Sequence, residues 1–295
     1  MDLVSFTRFL NGFLMIALPI MLGIYLVSKF QLGWKFCWAG AAIFIISQIF
    51  HLLFNAYVLN PGLGKIQQAN PDVSGAIVIA ILLGLSAGIF ESSARFVMYR
   101  WWLKDARSWR KGILAGAGHG GMEAILLGVL VMTVYLNMMT YHNLDLSNLN
   151  LSPDQLNIAR QQIQTYWSLP WYDTLLGALE RIFTIPFHIA ASLLVLQVFT
   201  RKPGVLKPGW LFLAILYHSL MDASAVFIAG QWGNYAAEAV LGGLTVLHII
   251  IIFALRQPEP ESITPLTFPT SNVLPVFTPL PVEESSENLE NTRYQ

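Results

Sequence analysis

The chain has 295 residues, 55% of them hydrophobic, and its 17 acidic and 17 basic groups cancel to a net charge of zero. Charged residues make up 12% of it against about 25% in a soluble domain, which excludes an ordinary cytosolic globule, and the lack of a basic excess excludes a nucleic-acid binder. The single cysteine, Cys37, excludes an internal disulfide framework and a Cys-built zinc cluster.

In chain order the sequence carries seven long apolar runs, approximately residues 9–28, 36–58, 76–99, 112–139, 174–199, 210–229 and 235–255. Each approaches the roughly twenty residues needed to cross a hydrocarbon core. None has the alternating period of barrel strands, and backbone groups in lipid must be satisfied within the segment, so the runs read as helices. The expected fold is all-α, a multi-pass transmembrane bundle of about seven helices over residues 1–256, placed in the cell membrane. Basic residues concentrate in alternate connections, with Lys29 and Lys35, then Arg100, Lys104, Arg107, Arg110 and Lys111, then Arg201, Lys202 and Lys207. The positive-inside bias puts these on the cytoplasmic side, giving N-terminus out and C-terminus in.

The connections on the opposite side, 59–74 and 140–173, read as loops. The second contains Ser152-Pro153-Asp154, an N-cap-like start to a polar segment able to form a short external helix. Residues 257–295 hold seven residues of Pro, six Glu and one Arg when counted with Pro258. That composition cannot bury enough apolar surface to offset its ordering entropy and reads as a disordered cytoplasmic tail.

The informative residues are the ionisable ones inside the spans, because each costs about 2.5 to 3.5 kcal/mol at mid-bilayer even on lenient scales. They are Glu91 and Arg95, His119 and Glu123, Glu180, Arg181 and His188, and His218 and Asp222. Three of the pairs, Glu91/Arg95, His119/Glu123 and His218/Asp222, are spaced i to i+4 and share a helix face. At about 1.5 Å per residue, Glu91, His119, Glu123, His188, His218 and Asp222 lie between about 12 Å (His119) and about 21 Å (Asp222) from the basic ends. Four helices thus bring carboxylates and imidazoles to one level. Glycines flanking His119 favour close helix approach, and Pro186 is placed to kink the fifth span beside His188.

Taken together, Gly84-Leu85-Ser86-Ala87-Gly88-Ile89-Phe90-Glu91 with Arg95, Gly118-His119-Gly120-Gly121-Met122-Glu123, Glu180-Arg181 with Phe187-His188, and His218 with Asp222 resemble the YhfC family. That family is regarded as glutamic-type intramembrane proteases, similar to the CAAX-prenyl proteases and PrsW. The resemblance covers about residues 75–250. It implies that Glu91 activates water, that Glu123 assists it, and that His218 with Asp222 polarises the scissile carbonyl of a membrane-protein or lipidated-peptide substrate. One position departs from the pattern: such families usually have two adjacent glutamates, and here Glu91 is followed by Ser92.

The residues themselves support amide hydrolysis, with Glu91 as general base, Glu123 as proton partner, and His218, His188 or His119 stabilising the oxyanion. Arg95 is expected to fix a carboxylate rotamer, and Glu180-Arg181 to form an internal ion pair. No cofactor is required by this reading. Zinc held by His119, His188 and His218 with a carboxylate is the alternative, although no His-Glu-x-x-His helix is present. A proton-coupled transporter and a non-catalytic membrane scaffold are the rival classes. Against the transporter, the polar groups cluster at one depth and no inverted repeat is visible. His51 and His248 each stand alone on an apolar run and are expected to make helix-bridging hydrogen bonds.

Overall fold

A computed structural model describes residues 2–201 and 205–258. Among these residues there is no strand, and seven helices are long and apolar enough to cross a membrane. They are α1 (Leu3–Phe30), α2 (Lys35–Ala69), α3 (Val73–Trp102), α4 (Trp109–His142), α6 (Asp173–Thr200), α7 (Gly209–Trp232) and α8 (Asn234–Ala254). A further helix, α5 (Pro153–Ser168), lies in the long connection between α4 and α6. The expected tail lies outside the described residues from 259 onward.

One connection differs from its reading as a loop, and the other forms the short helix that Ser152-Pro153-Asp154 signalled. Residues 60–69 continue α2 after one wide turn, Asn55–Leu59. Pro61 is tolerated in this continuation because it occupies the first turn after the widening. In the 140–173 connection, α5 is closed by a capping box: Ser152 Oγ accepts from the Gln155 N–H while the Gln155 side chain accepts from the Ser152 N–H. Such reciprocal capping satisfies two otherwise orphaned donors.

Packing follows from which faces are small. The central helix is α6, with 72% of its most apolar window buried against 17% to 33% in the other spans. A helix that is apolar all round is stable only where protein or lipid surrounds it, and here protein does. The α4 helix packs on α1, α2 and α6, while α3 packs most extensively on α7. Both contacts are glycine-mediated. Gly84 and Gly88 of α3 lie directly on the Ser219 and Ala223 backbone of α7, and Gly118 of α4 lies on the backbone of Cys37. A β-carbon at any of these places would force the helices apart.

Polar groups hold α1 at the end opposite the basic connections. Asn11 Oδ1 accepts from the Ala178 N–H at 2.7 Å, Thr174 Oγ1 donates to Thr7 Oγ1 at 2.8 Å, and Ser5 Oγ meets Tyr135 OH at 3.1 Å. The guanidinium of Arg8, 3.5 Å from the Tyr166 ring centroid, also donates to the Tyr166 carbonyl. That arrangement gives a charge inside an apolar helix both a π-face and an acceptor.

Candidate active site

Four helices carry the ionisable side chains to one place. On α3, Glu91 and Arg95 point inward as the i, i+4 spacing requires, and both are buried. On α4, His119 and Glu123 repeat the spacing, with His119 completely buried. The α6 helix runs through Pro186 without interruption and supplies Arg181 and His188. From α7 come His218 and Asp222, again one turn apart.

Glu91 is the hub. Its Oε2 lies 3.0 Å from His119 Nε2, 3.4 Å from Arg95 Nη2, 3.5 Å from His218 Nε2 and 3.9 Å from His188 Nδ1. The guanidinium of Arg95 reaches past Glu91 and donates to His188 Nδ1 at 2.8 Å, with His218 Nδ1 at 3.5 Å. With Nδ1 of His188 accepting, its Nε2 carries the proton and donates to Glu123 Oε2 at 2.6 Å. The other oxygen of Glu123 accepts from Arg181 Nη1 at 2.7 Å, and the same guanidinium donates to Glu180. His218 Nε2 lies 3.4 Å from Asp222 Oδ2.

All nine candidates from the sequence therefore belong to one network. The expected pairing of Glu180 with Arg181 is present, and Arg181 also serves Glu123. Gly120 makes the centre possible: a β-carbon there would lie 2.8 to 2.9 Å from His188 side-chain atoms. Ser92, standing where a second glutamate was expected, is fully buried and its hydroxyl has no hydrogen-bond partner.

The sequence reading missed Gln48, whose Nε2 donates to Glu91 Oε1 at 2.9 Å. The available signal was Gln48, His51 and Asn55 at i, i+3 and i+7 on one face of α2. His51 differs from expectation as well. Its nitrogens meet Gln48 and Asn55 of its own helix, and only its ring reaches another helix, stacking on Phe90 with centroids 5.6 Å apart. His248 does bridge helices, with Nδ1 2.6 Å from Tyr217 OH.

A cavity of about 560 Å³ adjoins the network. Its polar lining includes Gln48, Glu91, Glu123, His188, His218 and Asp222, and its apolar lining includes Leu52, Leu126, Leu127 and Leu130. Leu52 and Leu130 are 63% and 58% exposed on the outside of the bundle, so the cavity reaches from the ionisable centre to the lipid-facing surface.

The donor atoms fit a divalent ion. One atom each from Glu91, His119 and His188 lie within 4.8 Å of one another, all on buried residues. Two imidazoles and a carboxylate form a hydrolytic zinc set. His119 Nδ1, on the side of the ring away from Glu91, is buried with no hydrogen-bond partner. The converging set includes Glu91 in place of the third imidazole expected from the sequence, His218, whose Nε2 faces Asp222 and Glu91 together.

The fold and site define a polytopic helical membrane protein with a buried imidazole–carboxylate centre open to the lipid side. The model of the YhfC intramembrane metalloprotease family matches residues 14–244, and the chain belongs to the YhfC family. It is 32% identical over 257 residues to the uncharacterized membrane protein YhfC of Bacillus subtilis (strain 168), covering 82% of this chain and 93% of that protein. No solved structure matches the chain.

Proposed function

We propose that the chain is an intramembrane endopeptidase that cleaves a membrane-associated protein at the Glu91 centre. The observation that carries this reading is a buried carboxylate in contact with three imidazoles, in a lipid-surrounded bundle, beside a cavity that reaches the lipid-facing surface. Amide hydrolysis needs an activated water and a donor for the developing oxyanion. The network offers both.

Glu91, His119 and His188 would hold a divalent metal. Such an ion supplies Lewis-acid activation of water and of the scissile carbonyl. With Glu91 committed as a ligand, Glu123 is the nearby carboxylate left to accept the proton of the attacking water. Arg181 fixes it on one oxygen, and His188 donates to the other. His218, whose Nε2 lies between Asp222 and Glu91 at the cavity wall and whose Nδ1 faces Arg95, would stabilise the oxyanion by turning its Nε2 proton from those carboxylates to it. Charge balance leaves room for a cation here, because Glu91, Glu123, Glu180 and Asp222 meet two guanidiniums, Arg95 and Arg181, and otherwise imidazoles. A charge excess of that kind is costly inside a membrane.

A metal-free glutamic mechanism is the second reading, and the placement of Arg95 favours it. Its guanidinium already donates to His188 and contacts Glu91, a fixed cation among the metal donors. In that mechanism Glu91 is the general base and Glu123 its proton partner. For either mechanism, the Lys and Arg bias of alternate connections supports an N-terminus outside and a C-terminus in the cytoplasm.

The test is cleavage of a membrane-protein library in reconstituted vesicles by wild type, Glu91→Ala, Glu123→Ala and His218→Ala. Wild type alone should cleave; equal processing by all four sinks the assignment. Solute or proton flux lost in the variants, without proteolysis, would favour a transporter. Metal content measured by mass spectrometry separates the two mechanisms. A stoichiometric divalent ion lost in His119→Ala supports the metal, and full activity after complete chelation supports the glutamate.

A further inference from the structure

We infer that Gln48 is the positioning residue of the Glu91 centre, held in place by a one-directional hydrogen-bond chain through His51, Asn55 and Ser86. The inference rests on Glu91 being the reaction centre.

The links run as follows from the far end. Ser86 Oγ donates to Asn55 Oδ1 at 2.7 Å. With its oxygen occupied, Asn55 presents Nδ2, which donates to His51 Nε2 at 3.0 Å. An imidazole accepting at Nε2 carries its proton on Nδ1 when neutral, and His51 Nδ1 faces Gln48 Oε1 at 3.4 Å, the longest link. That turns the amide nitrogen of Gln48 to Glu91 Oε1 at 2.9 Å. Every donor and acceptor along the chain agrees on one polarity, and stacking of His51 on Phe90 restrains the ring at its middle.

The effect on Glu91 is to separate its two oxygens. Oε1 receives the amide of Gln48, while Oε2 faces His119, Arg95, His188 and His218. The last side-chain torsion of a glutamate is soft and roughly two-fold. Without Gln48, rotation about it would swing a lone-pair direction away from the imidazoles. The chain orients and does not conduct, because relaying a proton through the amides of Gln48 and Asn55 would require each to pass through an imidic acid. Groups that orient a functional ligand from behind commonly contribute about 10- to 100-fold in metal affinity or activity.

The experiment uses the full chain in lipid vesicles with two readouts. The carboxylate stretch of Glu91 is assigned in the infrared by its loss in Glu91→Gln, and kcat and KM are measured separately. Gln48→Leu and the similarly sized Gln48→Met should shift that band and lower kcat by about 10- to 100-fold with KM unchanged. His51→Gln, which puts an amide near the accepting Nε2 and leaves no donor near Nδ1, should behave in the same way. His51→Asn, which keeps a donor near Nδ1, should retain the wild-type band and rate. A band that stays in place in folded Gln48→Met overturns the proposal, as does an unchanged kcat in that variant. Cleavage by Glu91→Gln at the wild-type rate would instead refute the protease reading, and the infrared result would still decide whether Gln48 holds Glu91.

Discussion

Replacing Arg181 with methionine keeps the buried stem and removes the guanidinium that serves two carboxylates. The Arg181 side chain is 3% exposed and Glu123 is 20% exposed, at 2.7 Å from it, so that contact is nearly dry. Removing one partner of a buried pair costs about 3 to 5 kcal/mol, chiefly because the other charge is left without compensation. Glu180 adds little, since its side chain is 37% exposed and half-wet pairs contribute about 0 to 1 kcal/mol. His188 still donates to Glu123, which places the expected loss near the lower limit, about 3 kcal/mol. Equilibrium unfolding in mixed micelles measures it. The decisive comparison is the double variant Arg181→Met with Glu123→Gln, which removes the stranded charge and should return to within about 1 kcal/mol of wild type. A single variant that loses less than about 1 kcal/mol, or a double variant no better than the single, would show that the pair is solvated and the reasoning wrong.

Gly120→Ala places a methyl against His188 and should destabilise by about 1 to 3 kcal/mol while displacing that ring; cleavage and unfolding measured together check it, and an unaffected protein would show that α4 and α6 can separate freely. Tyr217→Phe removes the hydroxyl that meets His248 Nδ1, and because His248 Nε2 already has no partner, a loss of about 1 to 3 kcal/mol is expected in the same unfolding assay. At the basic end, Lys35 donates to Asp105 at 2.6 Å and holds that carboxyl below the usual carboxylate range. The folded chain then binds that proton more weakly than the unfolded chain, so the stabilisation is present above about pH 4 and fades as pH falls below it. Both side chains are more than half exposed, which limits the effect to about 0.2 to 1 kcal/mol. Asp105→Asn should therefore be weaker than wild type at about pH 7 by a gap that narrows as pH falls below about 4, and a gap that does not narrow in acid would refute the assignment.

The spans and the common depth of Glu91, His119, His188 and His218 were legible because length, hydropathy and helical rise fix them without reference to partners. What could not be read was which oxygen meets which nitrogen. The contact of His119 with Glu91, or of Arg95 with His188, depends on how α3 crosses α4 and α6, and that is set by glycines whose partners lie far away in sequence. Gln48 and Asn55 escaped for a different reason. Uncharged amides cost less in a membrane than ions, so a search for expensive residues passes over them. The extension of α2 beyond Leu59 was missed because the apolar run on which the span was read ends at Val58, while the helix continues through the more polar residues 60–69.

The glycine contacts between α3 and α7 divide the centre in an instructive way. Glu91, Arg95, His218 and Asp222 ride on one tightly joined helix pair, while His119, Glu123 and His188 ride on α4 and α6, which pack on each other. The candidate donor set straddles this seam, with Glu91 on one side and both imidazoles on the other. A ligand seated among them is therefore a rivet between two blocks, and its binding free energy becomes cohesion of the bundle by mass action. An inhibitor that takes that position would be detected first as a rise in unfolding temperature, before any substrate is known.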